Sequence, residues 1–186
     1  MLVSLSGLPG TGKTTLAREV CRRLRAVHLR IDSIEHALRA DGMDPGPVGY
    51  LAAYAVAEDN LQLGLTVVTD CVNSLAITRK ALRDVAARAG CGIVEVELVC
   101  SDPKEHRRRV EGRLPDWPGQ RLPRWSDVTA RAVEAWDRAP ARIETAGQSL
   151  EDCLGRALAV VWAAAAQVMP CLDLSSRPLD ANGSVV

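Results

Sequence analysis

A glycine-rich segment near the start of the chain carries the residue types that bind phosphate. Gly7 and Gly12 enclose four residues and are followed by Lys13 and Thr14, so the segment meets the full pattern G-x-x-x-x-G-K-[ST]. Glycines let consecutive backbone N–H groups turn toward one anion, the lysine can reach the outer phosphates, and the threonine hydroxyl can ligate Mg²⁺. The segment therefore predicts a site for the phosphates of a nucleoside triphosphate.

The flanks of this segment favour a phosphate loop over an ordinary glycine-rich turn. The apolar run "LVSL" precedes the glycines, and apolar residues at helical spacing follow them: Leu16, Ala17, Val20 and Leu24. A strand, a loop and a helix start are thus expected in this order. The N-terminus of that helix adds unpaired N–H groups and the positive end of the helix dipole.

Two aspartates come at the ends of later strand-like runs. Asp32, with Ser33 after it, follows "VHLRI", and Asp70 ends "TVVTD". Ligands of parallel α/β sheets bind at the carboxyl ends of strands, so both aspartates are candidates for catalysis or metal binding. Each has a plainer alternative, because Asp commonly caps a helix or a turn.

Arginines cluster in the segment "EHRRRVEGR", which contains Arg107, Arg108, Arg109 and Arg113. Consecutive residues of a helix point about 100° apart, so these arginines cannot all face one phosphate, and a solvated face is the alternative for some. A proline-rich segment with Trp117 and Trp125 follows. We call residues 114–125 the flap and predict that it is mobile, that Arg113 lies nearest to it, and that both tryptophans are candidates for substrate contact.

Strand-like and helical segments alternate along the chain. Strands are predicted at 27–31, 66–72, 92–100 and 143–145 in addition to the first, and helices at 32–40, 50–63, 77–89, 103–112, 127–138 and 150–168. This alternation predicts one α/β domain with a parallel sheet, helices on both faces and a ligand at the carboxyl ends of the strands.

Composition excludes several classes of function. Lys plus Arg and Asp plus Glu both number 23, and the resulting net charge of zero argues against a protein that grips nucleic acid. The six cysteines form no C-x-x-C pair, the first residues leave no room for a signal peptide, and the apolar stretch 157–169 is too short to span a bilayer. We therefore expect a reduced cytoplasmic protein with no membrane association.

Elimination narrows the phosphate-loop classes. A small GTPase needs an N-K-x-D element, which the chain lacks, and a remodelling ATPase needs a second helical domain. The chain resembles the small-molecule P-loop kinases that include chloramphenicol phosphotransferase, gluconate kinase, adenylylsulfate kinase and the zeta-toxin group. The resemblance spans about residues 2–165. It implies a three-layer α/β/α P-loop NTPase fold with a five-stranded parallel sheet and an Arg-bearing lid.

The resemblance also implies a role for particular residues. Lys13, Asp32 and Arg113 would be catalytic, Asp32, Ser33 and Arg79 would bind the acceptor, and Thr14 and Asp70 would hold Mg²⁺. Nucleotide would be bound by Gly7, Pro9, Gly10, Thr11, Gly12, Lys13, Thr14, Thr15, Arg109 and Gly147, the last in the loop "ETAGQS". We further expect Lys13 to be solvent-accessible in the empty loop. The kinase domain would span residues 1–170, with the lid at about 107–126, and residues 171–186 would be a disordered tail.

These observations predict a phosphotransferase that uses ATP and Mg²⁺ to phosphorylate a hydroxyl group of a small molecule. The pattern leaves the acceptor and the oligomeric state open. A regulatory P-loop ATPase switch is the alternative from another class, although an acceptor-orienting Asp32 and an Arg lid would be unnecessary there. A nucleic-acid end kinase is less favoured because the chain has no basic excess.

Overall fold

Five parallel strands form the central layer of the molecule. The computed structural model of the chain describes residues 1–168. The strands are β1 (Leu2–Ser6), β2 (Val27–Arg30), β3 (Val67–Asp70), β4 (Ile93–Val99) and β5 (Ala141–Glu144), in the spatial order β2-β3-β1-β4-β5. Every neighbouring pair is parallel, which confirms the predicted five-stranded sheet.

Seven helices are connected to this sheet. They are α1 (Lys13–Leu24), α2 (Ile31–Ala40), α3 (Val48–Gln62), α4 (Ala76–Arg88), α5 (Pro103–Glu111), α6 (Trp125–Thr129) and α7 (Leu150–Val168). Among the residues described, none of these helices is both long and apolar enough to cross a membrane. The predicted tail at residues 171–186 lies outside the described part of the chain.

The sheet is covered on both faces because successive residues of a strand point in opposite directions. Val3 and Leu5 of β1 pack with apolar residues of α1 and α7, including Leu16 and Leu158. Leu2 belongs to the second core, which α3 and α4 complete on the other face. All five residues of β1 are buried, as expected for the central strand of a three-layer fold.

The strand order brings three chain segments together at the carboxyl ends of neighbouring strands. β1 runs into the phosphate loop, and β3 and β2 end beside it at Asp70 and Arg30. Asp70 is in register with Leu5 on one side and with Arg30 on the other. The candidate site therefore lies where the carboxyl ends of these strands meet.

Most predicted elements differ from the structure by one or two residues at their ends, and two differences affect the candidate site. The helix predicted at 127–138 is only α6, because the Glu134 N–H bonds the Ser74 carbonyl and the guanidinium of Arg79 takes the carbonyls of Glu134 and Ala135. The second strand ends at Arg30, which is the N-cap residue of α2. Asp32 therefore lies in the first turn of α2 and does not cap this helix.

Candidate nucleotide and acceptor site

The phosphate loop joins β1 to α1 through glycines in conformations that other residues avoid. Gly12 is the N-cap residue of α1 and has φ of 88°, in the left-handed region. At Gly7 a Cβ atom would lie 2.5 Å from the carbonyl oxygen of Leu98, so only glycine fits against β4. The loop thus forms the anion-binding turn that the sequence pattern predicts, directly before the N-terminus of a helix.

Lys13 is folded back onto the loop. Its side chain is buried, and its Nζ donates a hydrogen bond of 2.9 Å to the carbonyl oxygen of Leu8. The expectation that Lys13 is accessible is therefore wrong, because the Leu8 carbonyl provides a nearby acceptor inside the loop. Burial lowers the pKa of Lys13, against the opposing effect of Asp70 and Asp32.

Asp70 has the properties of a magnesium ligand. It is buried at the end of β3, and within residues 1–168 its Oδ2 has no hydrogen-bond partner. This atom lies 3.5 Å from His28 Nε2 and 3.9 Å from Arg30 Nε. Burial raises the pKa of Asp70, but His28, Lys13 and the Thr14 hydroxyl outweigh that effect and hold the pKa below its usual value. An ionised carboxylate oxygen without a partner, beside a threonine hydroxyl, fits Mg²⁺.

Two cavities meet at this loop. The larger, about 1030 Å³, is lined by Pro9, Asp32, His36 and Asp70 together with flap residues that include Trp117. The second, about 690 Å³, is lined by the loop and helix residues Gly10, Thr11, Gly12 and Thr15, by Arg108 and Arg109 of α5, and by Thr145, Gln148 and Ser149. Lys13, Thr14 and Arg113 line both cavities.

The structure brings Asp32 to the larger cavity. Its side chain is 50 % exposed and lies 3.7 Å from the guanidinium of Arg30. Ser33, the next residue of α2, is exposed and does not line this cavity. Of the two residues predicted to bind the acceptor here, only Asp32 therefore lines the cavity.

The structure does not bring Arg79 to the cavity, which corrects its prediction as an acceptor ligand. Arg79 is fully buried, and its guanidinium donates to the carbonyl oxygens of Asn73, Ser74, Glu134 and Ala135. It also lies 4.5 Å from the ring centre of Trp136. Arg79 therefore joins the segment after β3 to the segment after α6.

Glu105 brings Arg109 and Gly147 together at the edge of the second cavity. The guanidinium of Arg109 donates to the Glu105 carboxylate at 2.6 Å and to the side-chain and carbonyl oxygens of Thr145 at 2.9 and 2.8 Å. The Gly147 N–H donates to the other Glu105 oxygen at 2.9 Å. Arg107 and Arg108 are exposed, as the solvated-face alternative predicts for part of this cluster. Nucleotide binding by Arg109 and Gly147 stays a prediction.

Arg30 and Asp116 were missed by the sequence interpretation. Arg30 is buried at the end of β2, and its Nη2 lies 2.6 Å from the Asp116 carboxylate of the flap. Arg113 bonds the same carboxylate oxygen at 2.8 Å. A charged residue inside the apolar run "VHLRI" was an available signal for Arg30, whereas nothing in the local sequence points to Asp116.

The flap also lies on the site through aromatic rings. Trp117 stacks on His36 with ring centres 4.4 Å apart and lies 5.0 Å from the Arg30 guanidinium. Trp125 instead packs edge-on against His106, at 5.1 Å. His106 of α5 also pairs its Nε2 with the Pro9 carbonyl at 2.8 Å. Helix α5 and the phosphate loop are thereby held together.

Comparisons of this chain with known proteins agree with the geometry described above. A family model described as an AAA domain matches residues 2–143. No curated protein matches the sequence. Similar solved structures include the APS kinase CysC of Mycobacterium tuberculosis in complex with AMPPNP and APS, with 21% identity, a TM-score of 0.65, and coverage of 87% of this chain and 96% of that one.

Two further structures show the same fold. A gluconokinase from Sinorhizobium meliloti 1021 has 17% identity and a TM-score of 0.63, with coverage of 89% of this chain and 94% of that one. Kti12 of Chaetomium thermophilum in complex with ADP-AlF3 has 19% identity and a TM-score of 0.65, with 88% and 98% covered. The predicted resemblance to P-loop kinases and the three-layer P-loop NTPase fold are confirmed.

Proposed function

Because the chain belongs to the AAA domain family and has a P-loop kinase-like fold, we propose that it is an ATP-dependent phosphotransferase. It would transfer the γ-phosphoryl group of ATP to a hydroxyl group of a small acceptor. The solved structures to which it is similar include proteins bound to AMPPNP and to ADP-AlF3, which supports nucleotide as the donor.

The observation that carries this proposal is the pair of adjoining cavities. One cavity surrounds the phosphate loop, and the other, at about 1030 Å³, is large enough for a small organic molecule. Lys13, Thr14 and Arg113 line both cavities, which supports a terminal phosphate that faces the larger cavity from the phosphate loop. A protein that only binds and hydrolyses nucleotide has no need of a second cavity with a carboxylate in its wall.

The proposed reaction uses residues around that junction. Loop N–H groups and the N-terminus of α1 would hold the phosphates, while Lys13 and Arg113 would balance charge on the transferred group. Mg²⁺ held by Thr14 and Asp70 would supply further positive charge when bound. Asp32 would take the hydroxyl proton as the acceptor oxygen bonds to the γ-phosphorus. The bond from that phosphorus to the bridging oxygen then breaks, and ADP leaves with the electron pair.

We also propose that the protein acts in the cytoplasm and does not act on nucleic acid. The five cysteines of residues 1–168 are free thiols, which supports a reducing compartment. Zero net charge supports a small-molecule substrate over a polyanion. These statements are independent of the acceptor.

Acceptor-stimulated release of ADP tests the proposal. The protein is incubated with Mg·ATP and a panel of hydroxyl compounds: sugars, sugar acids, nucleosides and hydroxylated antibiotics. We expect one compound to stimulate ADP release and to appear as a phosphorylated product by mass spectrometry, and Lys13→Ala to abolish both signals. Steady hydrolysis that no compound stimulates would instead favour the regulatory ATPase switch.

A further inference from the structure

Arg30 is a buried cation that the proposed reaction does not use. Its side chain is only 6 % exposed, at the carboxyl end of β2 and two residues before Asp32. A buried guanidinium is costly unless anions and hydrogen-bond acceptors surround it. Among the residues that the structure describes, none is a hydrogen-bond partner of its Nε, so the group is incompletely satisfied there.

Three carboxylates surround Arg30, and only one of them is hydrogen-bonded to it. Asp70 and Asp32 lie at 3.9 and 3.7 Å, beyond hydrogen-bond distance. Asp116 lies at 2.6 Å and comes from the flap, far along the chain. The hydrogen-bond partner of Arg30 is therefore a residue of the flap. The two other carboxylates, Asp32 and Asp70, are the ones proposed for proton transfer and for Mg²⁺ binding.

Arg113 places a second guanidinium group beside the Asp116 carboxylate. Its Nη2 bonds the Oδ2 atom of Asp116 at 2.8 Å, so one carboxylate oxygen lies between two arginines. Convergent guanidinium donors are the usual protein ligands of phosphate, sulfate and carboxylate groups. Burial raises the pKa of Asp116, but its hydrogen bonds to Arg30 and Arg113 outweigh that effect and lower the pKa, so the carboxylate is held as an anion.

The position of this anion site is next to the cavity assigned to the acceptor. Trp117 lines that cavity and lies over Arg30, and Arg113 lines both cavities. Asp32 lies in the wall of that cavity, 3.7 Å from the same Arg30 Nη2 atom that bonds Asp116, and Asp116 itself lines the second cavity beside the phosphate loop. A small molecule that presents a hydroxyl group to Asp32 could therefore place a second group at the arginine pair once Asp116 moves away.

We propose that the acceptor carries an anionic group, a phosphate, sulfate or carboxylate, which replaces the Asp116 carboxylate between Arg30 and Arg113. Asp116 is then an internal competitor that fills the anion site until the acceptor arrives, and the anionic group of the acceptor takes over its bonds to the two arginines. This inference rests on the proposed kinase function and narrows its substrate class. The terminal phosphate of the nucleotide is the other anion that could bind between these two arginines, and the test separates it from an anionic group of the acceptor.

Inorganic sulfate is the probe for the site. The phosphate loop is first saturated with Mg·AMPPNP, so that sulfate cannot bind there, and sulfate is then titrated at constant ionic strength while tryptophan fluorescence is followed. We expect Asp116→Asn to bind sulfate about tenfold more tightly than the natural chain, because a charged hydrogen-bonded competitor is removed. Adding Arg113→Gln to that variant should reverse the gain.

Asp137→Asn is the matched control. It removes one exposed carboxylate that pairs with Arg83, outside both cavities, and it changes net charge equally. The proposal is overturned if Asp137→Asn tightens sulfate binding as much as Asp116→Asn does, or if Arg113→Gln leaves the affinity unchanged. It is also overturned if sulfate binds Asp116→Asn only without AMPPNP, since the site would then belong to the nucleotide phosphate.

Matched acceptors separate this inference from the proposed function. The ADP-release panel is arranged in pairs, each an anionic compound beside its uncharged counterpart, such as a sugar acid and the sugar. Stimulation by anionic members supports the proposal. Stimulation confined to uncharged members overturns it while the kinase function stands. With no stimulation at all the kinase function fails, and the sulfate titration alone decides whether the anion site exists.

Discussion

At the scale of single residues, the positively charged side chains of the site are hydrogen-bonded to groups of the protein itself. Lys13 is bonded to the Leu8 carbonyl, and Arg113 is bonded to Asp116. Both cations must exchange these partners for phosphate oxygens if they act in transfer. For a water-exposed side chain, such an exchange of partners costs little free energy. At a buried position it couples nucleotide binding to a local rearrangement of the loop and the flap.

Replacement of Asp32 tests the proposed proton acceptor. Asp32→Asn keeps the shape of a residue in the first turn of α2 but removes the proton-accepting carboxylate. We expect acceptor-dependent turnover to fall by roughly 10²- to 10⁴-fold, the contribution typical of a positioned base, while affinity for Mg·AMPPNP changes little. Asp59→Asn, an exposed carboxylate of α3, is the control. Near-normal turnover in Asp32→Asn would remove this residue from the mechanism.

The lowered pKa of Asp70 predicts a specific dependence of stability on pH. A carboxylate whose folded-state pKa is below its unfolded value, about 3.9, contributes stability above that value and loses it as pH falls through the folded pKa. We expect Asp70→Asn to be less stable than the natural chain near neutral pH, with a difference that shrinks in acid. Urea unfolding between pH 7 and pH 3 measures it, and a difference constant across that range would contradict the assignment.

At the scale of elements, Arg79 shows why a residue near the site need not belong to it. The segment after α6 could not be placed from local sequence, because its polar backbone groups bond to Ser74 and Arg79, which lie more than fifty residues earlier. Helical composition at 127–138 was overridden by these long-range bonds. The same bonds engage Nη1 and Nη2 of the guanidinium, and the whole side chain is buried away from the cavity that an acceptor would enter.

Removal of Arg79 should therefore destabilise the fold. Arg79→Met deletes the charged donors to the carbonyls of two segments, and we expect the free energy of unfolding to fall by about 3 kcal/mol or more. Lys80→Met is the matched control on the same helix, since Lys80 is exposed and, in the described part of the chain, pairs only with Asp84 one turn away. Equal stability of the two variants in urea would show that Arg79 has no anchoring role.

The flap is the element expected to move. Its contacts with the cavity are the Asp116 ion pairs and the stacking of Trp117 on His36. We expect hydrogen exchange across residues 107–125 to slow strongly when Mg·AMPPNP and the stimulating acceptor are both present, because closure would exclude water from transfer.

The same exchange experiment contains its own control. Strand β4 is central to the sheet and should be protected equally in all states. If residues 107–125 exchange at one rate in the empty protein and in the doubly bound protein, the flap is a fixed cover and the lid assignment is lost.

At the scale of the whole molecule, the fold was predictable because its signals are local. The phosphate-loop pattern, the apolar strands and the helical spacing each lie within a few residues, and they were enough to predict the layers and the edge of the sheet that carries the site. The pairing of Arg30 with Asp116 and the placement of Arg79 depend on contacts between distant segments. One sequence carries no local trace of such contacts.

The proposed limit of the kinase domain can be tested directly. Helix α7 packs Leu154, Leu158 and Val161 into the core beside β1, and its last turns contribute less buried surface. We expect a chain shortened to residues 1–170 to keep the melting temperature and the ADP release of the full chain. Loss of either property would show that residues 171–186 belong to the domain.

The position of β1 in the sheet has a consequence for the order in which the protein is made. β1 is the first strand to be synthesised, yet its partners β3 and β4 begin only at Val67 and Ile93, and β2 also pairs with β3. No strand pair of the described sheet can form before β3 has been translated. The apolar strand β1 therefore has no strand partner until β3 has been synthesised, and we expect it to be prone to aggregation during that interval.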